Sequence, residues 1–253
     1  MKGVLLAYVG GVTEGSDGQE VVVALLHSPL TSATAWGELP DALRLRGHQV
    51  VVPEVLDDDQ APYANKYIAR AAVQLRNEIG DQPLVLVGHS GAGPLLPQIG
   101  FARQAVGSPV HGYVFYDAML PRVMRATTRL ELLALEDADM AAALRRNLTA
   151  GARFPNWGES ELRGDLPDPE DRAMLLAGLR PRSLDFFDET LPMPEDWPDA
   201  RCAFVRLSSS YDFNTDTAMR RGWDVYRLEL HHFAALTHAD QVADTLHDAI
   251  QNL

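Results

Sequence analysis

The chain has 253 residues, of which 46% are hydrophobic and 23% are charged, so a core can form without support from disulfides or metal ions. The formal net charge of −13 argues against binding to nucleic acid or to an anionic membrane surface, because both carry negative charge. The single cysteine, Cys202, excludes an internal disulfide framework and a zinc site built from several cysteines, and it favours a cytoplasmic protein.

The first segment, Met1–Gly11, contains one lysine and a short apolar run at Val4–Val9. A signal peptide has a longer apolar core that is followed by small residues at a cleavage site, so we predict an edge strand here instead. No apolar run along the chain approaches the ~20 residues of a transmembrane helix, and we therefore predict a protein that does not span a membrane.

Short apolar runs then alternate with amphipathic stretches along most of the chain. The apolar runs predict buried strands at Val21–Leu26, Val50–Val52, Leu84–Val87, Tyr113–Tyr116, Ala203–Leu207 and Val225–Leu228. The stretches between them predict helices at Ala33–Arg46, Pro62–Ile79, Gly91–Gln104, Thr215–Arg221 and Ala239–Gln251. Strands that alternate with helices indicate an α/β fold with a doubly wound, mostly parallel sheet.

This alternation stops within residues 121–198, a region that is acidic, rich in leucine and without a strand signal. Arg129–Leu148 predicts one or two amphipathic helices, and Asp168 before a proline predicts the N-cap of another. We therefore predict an α/β core formed by residues 1–120 and 199–253, with residues 121–198 inserted between two strands as a helical cap.

The segment Gly88–Gly93 follows the predicted strand Leu84–Val87 and matches the pattern G-x-S-x-G, except that Ala92 replaces the last glycine. A tight strand-to-helix turn of this kind exposes its serine hydroxyl at the top of a parallel sheet, and small neighbours let the strand and helix approach each other. The following helix stabilises negative charge near its N-terminus. We predict Ser90 as a nucleophile, because the alternative of a phosphate-binding loop lacks the required lysine and glycine spacing.

A serine nucleophile needs a base, which is most often a histidine. His231 and His232 both follow the last predicted strand and precede the last helix. We favour His232 because the apolar Phe233–Leu236 then continues into that helix, whereas His231 is a loop residue. His89 adjoins the nucleophile and is interpreted as packing. The histidines lack the spacing of metal ligands, so no metal site is predicted.

These residues resemble the α/β-hydrolase fold superfamily, and within it the small capped serine esterases and the related plant hydroxynitrile lyases and methyl esterases. The resemblance covers nearly the whole chain but is weak across residues 121–198. A resemblance at the level of the fold does not specify a substrate. The segments that carry it are Leu25–Ser28 with Trp36, Gly47–Pro53, Val87–Gly93, Asp117 and His232–His238.

In α/β-hydrolases the catalytic acid lies between the serine and the histidine along the chain, and it fixes the tautomer of the imidazole. The loop after the predicted strand Ala203–Leu207 contains Asp212, which we predict as the acid. Asp216 is the reserve, although it is more simply a charge in the first turn of the next helix. Asp117 also competes, because it ends the earlier strand Tyr113–Tyr116.

The loop after the first strand departs from the superfamily pattern. The superfamily usually has His-Gly where this chain has His27-Ser28, and the next residue normally donates a backbone N–H to the oxyanion hole. Here that residue is Pro29, which has no N–H, and the loss of one donor costs about a hundred- to a thousandfold in rate. We predict the Gly91 N–H as the intact donor, with either the Leu30 N–H or the Ser28 hydroxyl as the second.

The site residues predict a serine hydrolase that cleaves an ester, thioester or lactone through an acyl-enzyme on Ser90, without a cofactor. Its predicted partner is a small acyl substrate that is partly apolar. One alternative keeps the fold but uses Ser90 and His232 for proton transfer in a lyase or cyclase, and Pro29 favours it. A second alternative is a non-catalytic protein that binds a ligand on the same scaffold.

Overall fold

The computed structural model describes residues 21–123 and 125–253, so the strand predicted at Val4–Val9 lies outside the described residues. Its main sheet has six parallel strands in the order β2-β1-β3-β4-β7-β8. The fold class predicted from the sequence is thereby confirmed. The six strands are β1 (Val22–Leu26), β2 (Gln49–Val51), β3 (Leu84–His89), β4 (Val110–Tyr116), β7 (Arg201–Arg206) and β8 (Asp224–Arg227).

Helices cover both faces of this sheet. One apolar cluster joins α2, α3 and α9 to one face, and a second joins α1 and α11 to the other. In the central strands alternate side chains enter the two clusters, as the two-residue period of a strand requires, and the central strands are therefore apolar on both faces. These helices are α1 (Leu39–Leu45), α2 (Tyr63–Ile79), α3 (Leu96–Gln104), α9 (Asp212–Arg220) and α11 (Ala239–Gln251), and the short α10 (Ala234–Thr237) precedes the last.

Residues 121–198, which we call the insertion, connect β4 to β7. Two short antiparallel strands flank its helices, at β5 (Thr127–Thr128) and β6 (Thr190–Leu191). The division into a core of residues 1–120 and 199–253 and a cap of residues 121–198 stays a prediction. The helices of the insertion are α4 (Arg129–Glu136), α5 (Ala138–Thr149), α6 (Glu159–Leu162), α7 (Pro169–Ala177) and α8 (Leu184–Asp188).

Several helix boundaries differ from the sequence prediction for local reasons. The stretch Arg129–Leu148 forms two helices because Asp137 between them adopts an extended backbone and its carboxylate accepts the N–H of Met140 at 2.8 Å. The helix predicted at Gly91–Gln104 starts as a 3-10 helix over Ser90–Leu95 and becomes α-helical only afterwards. None of the helices in the described ranges is both long and apolar enough to cross a membrane.

The strand order determines which loops meet. β4 lies between β3 and β7, and all of them run parallel, so the residues that follow their carboxyl ends gather at one edge of the sheet. The carboxyl edge of an open parallel sheet is where ligands bind in doubly wound folds. This edge therefore positions the polar residues of the site.

Candidate active site

The predicted nucleophile lies on the turn between β3 and the 3-10 helix that follows it. Ser90 has a φ of +56°, a backbone conformation that residues other than glycine rarely adopt. Gly93 permits the close approach behind this turn, because a Cβ there would lie 2.3 Å from the carbonyl oxygen of Met119. Ala92 is fully buried, so the alanine that replaces the last glycine of the pattern fits its site. A strained backbone at a serine is the feature expected of a nucleophile turn.

The imidazole of His232 binds a carboxylate, and that carboxylate belongs to Asp117. The His232 Nδ1 lies 2.7 Å from Asp117 Oδ2, while Asp117 itself is fully buried at the end of β4. Since a carboxylate accepts, the His232 Nδ1 carries the proton in this contact, and its Nε2 is left as the acceptor. His232 thus has the tautomer that a general base needs.

Asp117 is held in place by three further donors. Its Oδ1 accepts the N–H groups of Leu207 and Ser208 at 2.8 and 3.0 Å, and its Oδ2 accepts the Ser208 hydroxyl at 2.8 Å. The backbone of Asp117 is itself in the left-handed region, with a φ of +41°. A buried carboxylate with this many donors is a fixed partner for the imidazole.

The expectation that Asp212 orients the histidine is not met by this geometry. Asp212 is the first residue of α9, its side chain is 61% exposed, and its Oδ1 accepts the Arg206 Nε at 2.9 Å. Asp216, the reserve candidate, is exposed further along the same helix. The chain order of serine, acid and histidine fits Asp117 as well as it fits Asp212 and Asp216. Asp117 is distinguished from the other two by its position at the end of β4, within hydrogen-bond distance of His232.

The two histidines beside His232 have other roles in the structure. The His231 Nε2 lies 2.8 Å from the hydroxyl of Thr237, whereas the hydrogen bond to Asp117 is made by His232. His89 is buried, donates from its Nε2 to the carbonyl of His232 at 3.0 Å, and has its ring centroid 4.4 Å from that of His232. Burial, with a smaller contribution from His232, holds the pKa of His89 well below its ordinary value. His89 is thus a neutral support for the His232 backbone.

Tyr211 contacts both Ser90 and His232, and the sequence did not single it out. Its hydroxyl lies 3.2 Å from the Ser90 Oγ, and its ring stacks on the imidazole of His232 with centroids 5.2 Å apart and an interplanar angle of 11°. Among the described residues this hydroxyl is the hydrogen-bond partner of the Ser90 Oγ. A tyrosine in a loop carries no sequence signal for such a position, because the contact depends on how the loop after β7 folds.

The candidate oxyanion donors are Gly91, which follows Ser90, and Ser28 and Leu30 in the loop after β1. A Cβ on Gly91 would come within 3.2 Å of the Ser28 Oγ, so Gly91 and the buried Ser28 are direct neighbours. The Leu30 N–H donates to the Ser28 Oγ at 3.3 Å and is therefore engaged within the loop. In the described part of the chain the Ser28 hydroxyl has no acceptor for its own hydrogen, which leaves it available for a ligand.

These residues open into a cavity of about 770 Å³, within the usual size of a small-molecule site. One wall, which we call the sheet wall, consists of polar groups at the carboxyl edge of the sheet: Ser28, Ser90, Gly91, Ser208, Tyr211 and His232. The other wall, which we call the insertion wall, comes from residues 121–198, and its apolar side chains outnumber its charged ones. The apolar ones are Leu133, Met140, Leu144, Phe154, Trp157, Leu162, Phe186 and Phe187, and the charged ones are Arg129, Glu136, Asp137, Glu161 and Asp165.

Glu136 is an acidic residue of the insertion wall that binds α9 through Asn214. Its Oε1 accepts the backbone N–H of Asn214 at 3.0 Å and also binds the Asn214 side-chain amide. Burial, together with the charges of Asp117 and Asp212, raises the pKa of Glu136 to about 7, although the Asn214 hydrogen bonds oppose the shift. A carboxyl that is partly protonated at neutral pH therefore faces the cavity, and nothing in the helical pattern of α4 distinguished it from a surface charge.

Comparisons with known proteins agree with the fold. A model described as "Alpha/beta hydrolase family" matches residues 23–245. A search of curated proteins finds no match. Among solved structures, an extracellular α/β-hydrolase from a Paenibacillus species, described as homologous to tobacco salicylic acid binding protein 2, has a TM-score of 0.71 at 16% identity and covers 90% of this chain and 98% of its own.

Two further solved structures show a comparable likeness. Tomato methylketone synthase I, solved with 2-tridecanone, has a TM-score of 0.66 at 16% identity over 92% of this chain and 98% of its own. Polyneuridine aldehyde esterase has a TM-score of 0.65 at 19% identity over 91% of this chain and 99% of its own. At these identities the likeness concerns the fold alone.

Proposed function

The chain belongs to the alpha/beta hydrolase family, and from that premise we propose that it is a serine hydrolase that cleaves an ester, thioester or lactone through an acyl-enzyme on Ser90. The observation that carries the proposal is the contact of His232 Nδ1 with the buried carboxylate of Asp117, beside a serine on a strained turn. Base, orienting acid and nucleophile are the parts that this chemistry needs.

The proposed steps follow the properties of these groups. The Ser90 Oγ attacks the substrate carbonyl carbon while the Nε2 of His232 accepts the hydroxyl proton. The acyl–oxygen or acyl–sulfur bond then breaks, and the same proton passes to the leaving group. Asp117 keeps the proton of the imidazole on Nδ1 and stabilises the imidazolium, the role that the sequence had assigned to Asp212. Water attacks the acyl-enzyme by the reverse sequence of proton transfers.

For the oxyanion we propose the Gly91 N–H and the Ser28 hydroxyl as donors. The proximity of Ser28 Oγ to Gly91 and the engagement of the Leu30 N–H within the loop favour Ser28 over Leu30 as the second donor. A hydroxyl in this position would replace the N–H that Pro29 lacks, and such donors act on the charge that develops in the transition state.

The proposed substrate is a small acyl compound with a substantial apolar portion. The insertion wall supports this, because aromatic and aliphatic side chains dominate a cavity of about 770 Å³. We propose that residues 121–198 act as a cap that selects the substrate. The chemistry requires no cofactor, and among the described residues no group of three or more potential metal ligands is found.

A fluorophosphonate probe at neutral pH tests the acyl-enzyme chemistry, because it phosphonylates an activated serine. We expect wild type to gain the mass of one probe, and Ser90→Ala and His232→Ala to remain unlabelled. Ser209→Ala is the matched control, since Ser209 lines the same cavity but follows β7, and it should label like wild type. A folded wild type that stays unlabelled would overturn the proposal.

One observation favours a lyase or cyclase as the second candidate. The hydrogen-bond partner of the Ser90 Oγ is the hydroxyl of Tyr211, whereas a resting hydrolase places the base there. Ser90, Tyr211 and His232 would then form a chain for proton transfer without a covalent step. An acyl-enzyme trapped on Ser90 during turnover of an ester would exclude this candidate, whereas substrate conversion by unlabelled enzyme would support it.

We also propose a cytoplasmic location. The single cysteine, Cys202, is buried, and burial raises its pKa to about 12, so it remains a protonated thiol and is a structural residue. Fractionation of cells that express the full chain tests the location. The similar Paenibacillus hydrolase is described as extracellular, so recovery from the medium is the contrary outcome.

A further inference from the structure

Tyr211 lies beside both the nucleophile and the proposed general base. A general base must also protonate the leaving group, so His232 marks the side of the nucleophile on which that group departs. The ring of Tyr211 stacks on His232, whereas the two proposed oxyanion donors, Gly91 and Ser28, are neighbours of each other. A group next to His232 therefore faces the departing atom more directly than it faces the oxyanion.

The position of Tyr211 is fixed by the same carboxylate that orients the base. The Tyr211 N–H donates to the carbonyl of Ser208 at 3.2 Å, and Ser208 binds Asp117 through both its N–H and its hydroxyl. On the other side, the Thr215 hydroxyl donates to the Tyr211 carbonyl at 2.8 Å. These contacts fix the Tyr211 backbone, so its phenol only exchanges one hydrogen-bond partner for another on passing to the transition state. A donor that needs so little reorganisation contributes most to catalysis.

The phenol also remains a donor throughout the neutral range. Burial, with a smaller contribution from the negative charge of Asp117, raises the pKa of Tyr211 above its ordinary value, and the hydrogen bond with Ser90 opposes this only in part. Tyr211 is therefore unsuited to the role of a phenolate base. Its O–H can instead give a hydrogen bond to an oxygen that gains negative charge.

We propose that Tyr211 is a further catalytic residue, whose hydroxyl leaves the resting contact with Ser90 and donates a hydrogen bond to the leaving-group oxygen as the acyl–oxygen bond breaks. The inference rests on the proposed acyl-enzyme function. Tyr211 keeps its proton, and the proton that the leaving group takes up is the one that His232 received from Ser90. In the second half-reaction the same hydroxyl binds the attacking water.

The assignment predicts a dependence on the leaving group. A departing alkoxide or phenoxide of high basicity carries much negative charge and gains most from the donor, whereas a para-nitrophenoxide disperses its own charge. Removing a hydrogen bond to a charged atom lowers a rate by about 10- to 150-fold. The loss on removing the hydroxyl should therefore grow with the basicity of the leaving group.

The experiment measures kcat/KM of wild type and Tyr211→Phe on one series of butyrate esters: para-nitrophenyl, para-chlorophenyl, phenyl and benzyl. This ratio reports acylation, the step in which the leaving group departs. Phenylalanine retains the ring that stacks on His232. We expect a loss of about threefold or less on the para-nitrophenyl ester and about 30-fold or more on the benzyl ester, within the range of a charged hydrogen bond. The plot of log kcat/KM against leaving-group pKa thus becomes steeper.

Tyr226→Phe is the matched control, because Tyr226 lies on the outer strand β8, away from the cavity. Its hydroxyl binds the Asn252 side chain and the Asp248 carbonyl. It should leave the slope unchanged. An equal loss on every ester with Tyr211→Phe would overturn the inference and assign Tyr211 to the positioning of His232 alone. Fluorophosphonate labelling distinguishes failure of this inference from failure of the proposed function. If wild type is labelled, the acyl-enzyme function stands even when Tyr211→Phe leaves the leaving-group dependence unchanged.

Discussion

The two walls of the cavity differ in how their side chains are held. On the sheet wall Ser208 and His232 both hydrogen-bond to one buried carboxylate, that of Asp117. On the insertion wall the side chains are mostly apolar and pack on one another, as in the group of Phe154, Phe186 and Phe187. Directional bonds fix geometry to a fraction of an ångström, whereas apolar packing tolerates exchanges of shape. The sheet wall should therefore determine the rate and the insertion wall the choice of substrate.

The largest effect is expected from a substitution of Asp117, the carboxylate that holds His232 on the sheet wall. Asp117→Asn should lower kcat by about 10⁴-fold, because an amide can donate to Nδ1 and thereby favours the wrong tautomer of His232. The substitution is nearly isosteric, so thermal unfolding shows whether the variant still folds.

Asp212→Asn is the matched control for that variant. Asp212 is exposed and paired with Arg206, so we expect a change in kcat of less than about threefold, since an exposed ion pair contributes little. Steady-state rates on one activated ester measure both variants. If Asp212→Asn proved the slower enzyme, the assignment of the acid to Asp117 would be wrong.

An intermediate effect is expected from reshaping the insertion wall. Leu133→Trp places a larger ring in the cavity on α4 and should lower kcat/KM for a long-chain acyl ester by about tenfold, as expected when an apolar pocket loses space for a few methylenes. For an acetyl ester the ratio should stay within about twofold of wild type, because a short acyl group does not reach that wall. Leu45→Trp, at a position that is 85% exposed on α1, controls for the added ring. An equal loss on both esters would contradict the division between the walls.

The smallest effect concerns Glu136, one of the ionisable groups of the insertion wall. The pKa of Glu136 is raised to about 7 in the folded protein from 4.5, so the folded state holds its proton more tightly than the unfolded chain does. Stability is therefore lost as the pH rises from about 4.5 to about 7, and this loss persists at higher pH. Glu136→Gln removes the titration but keeps an acceptor for Asn214.

The free energy that corresponds to this pKa shift is discounted because Glu136 is partly exposed. The Glu136→Gln variant should then be more stable than wild type by about 1 kcal/mol at pH 8, and equal to it below pH 4.5. Urea unfolding at the two pH values measures the difference. A stabilisation that is the same at both values would show that the carboxyl is not the cause.

The fold and part of the site were predictable from the sequence because their signals are local. Buried parallel strands are continuous apolar runs, and the turn that carries Ser90 is one contiguous segment. The sequence named Asp117 as a candidate acid but could not select it over Asp212 and Asp216, since Asp117 lies 115 positions before His232 and the two become neighbours only through the folding of the sheet. Tyr211 and Glu136 were missed for a related reason: burial and stacking determine their properties, and neither leaves a trace in residue spacing.

The attachment of the acid to β4 has a consequence for how the protein can diversify. The loop that follows β7 supplies Ser208 as an anchor for Asp117, but it does not supply the acid itself. Residues 209–213, which line the cavity, are thus released from the requirement to retain a carboxylate at a fixed point. This loop can accept new side chains beside the nucleophile, because the charge that orients His232 belongs to Asp117 at the end of the neighbouring strand β4. Libraries confined to residues 209, 210, 212 and 213, with Ser208 and Tyr211 kept, are a direct route to new substrate preferences on an unchanged catalytic frame.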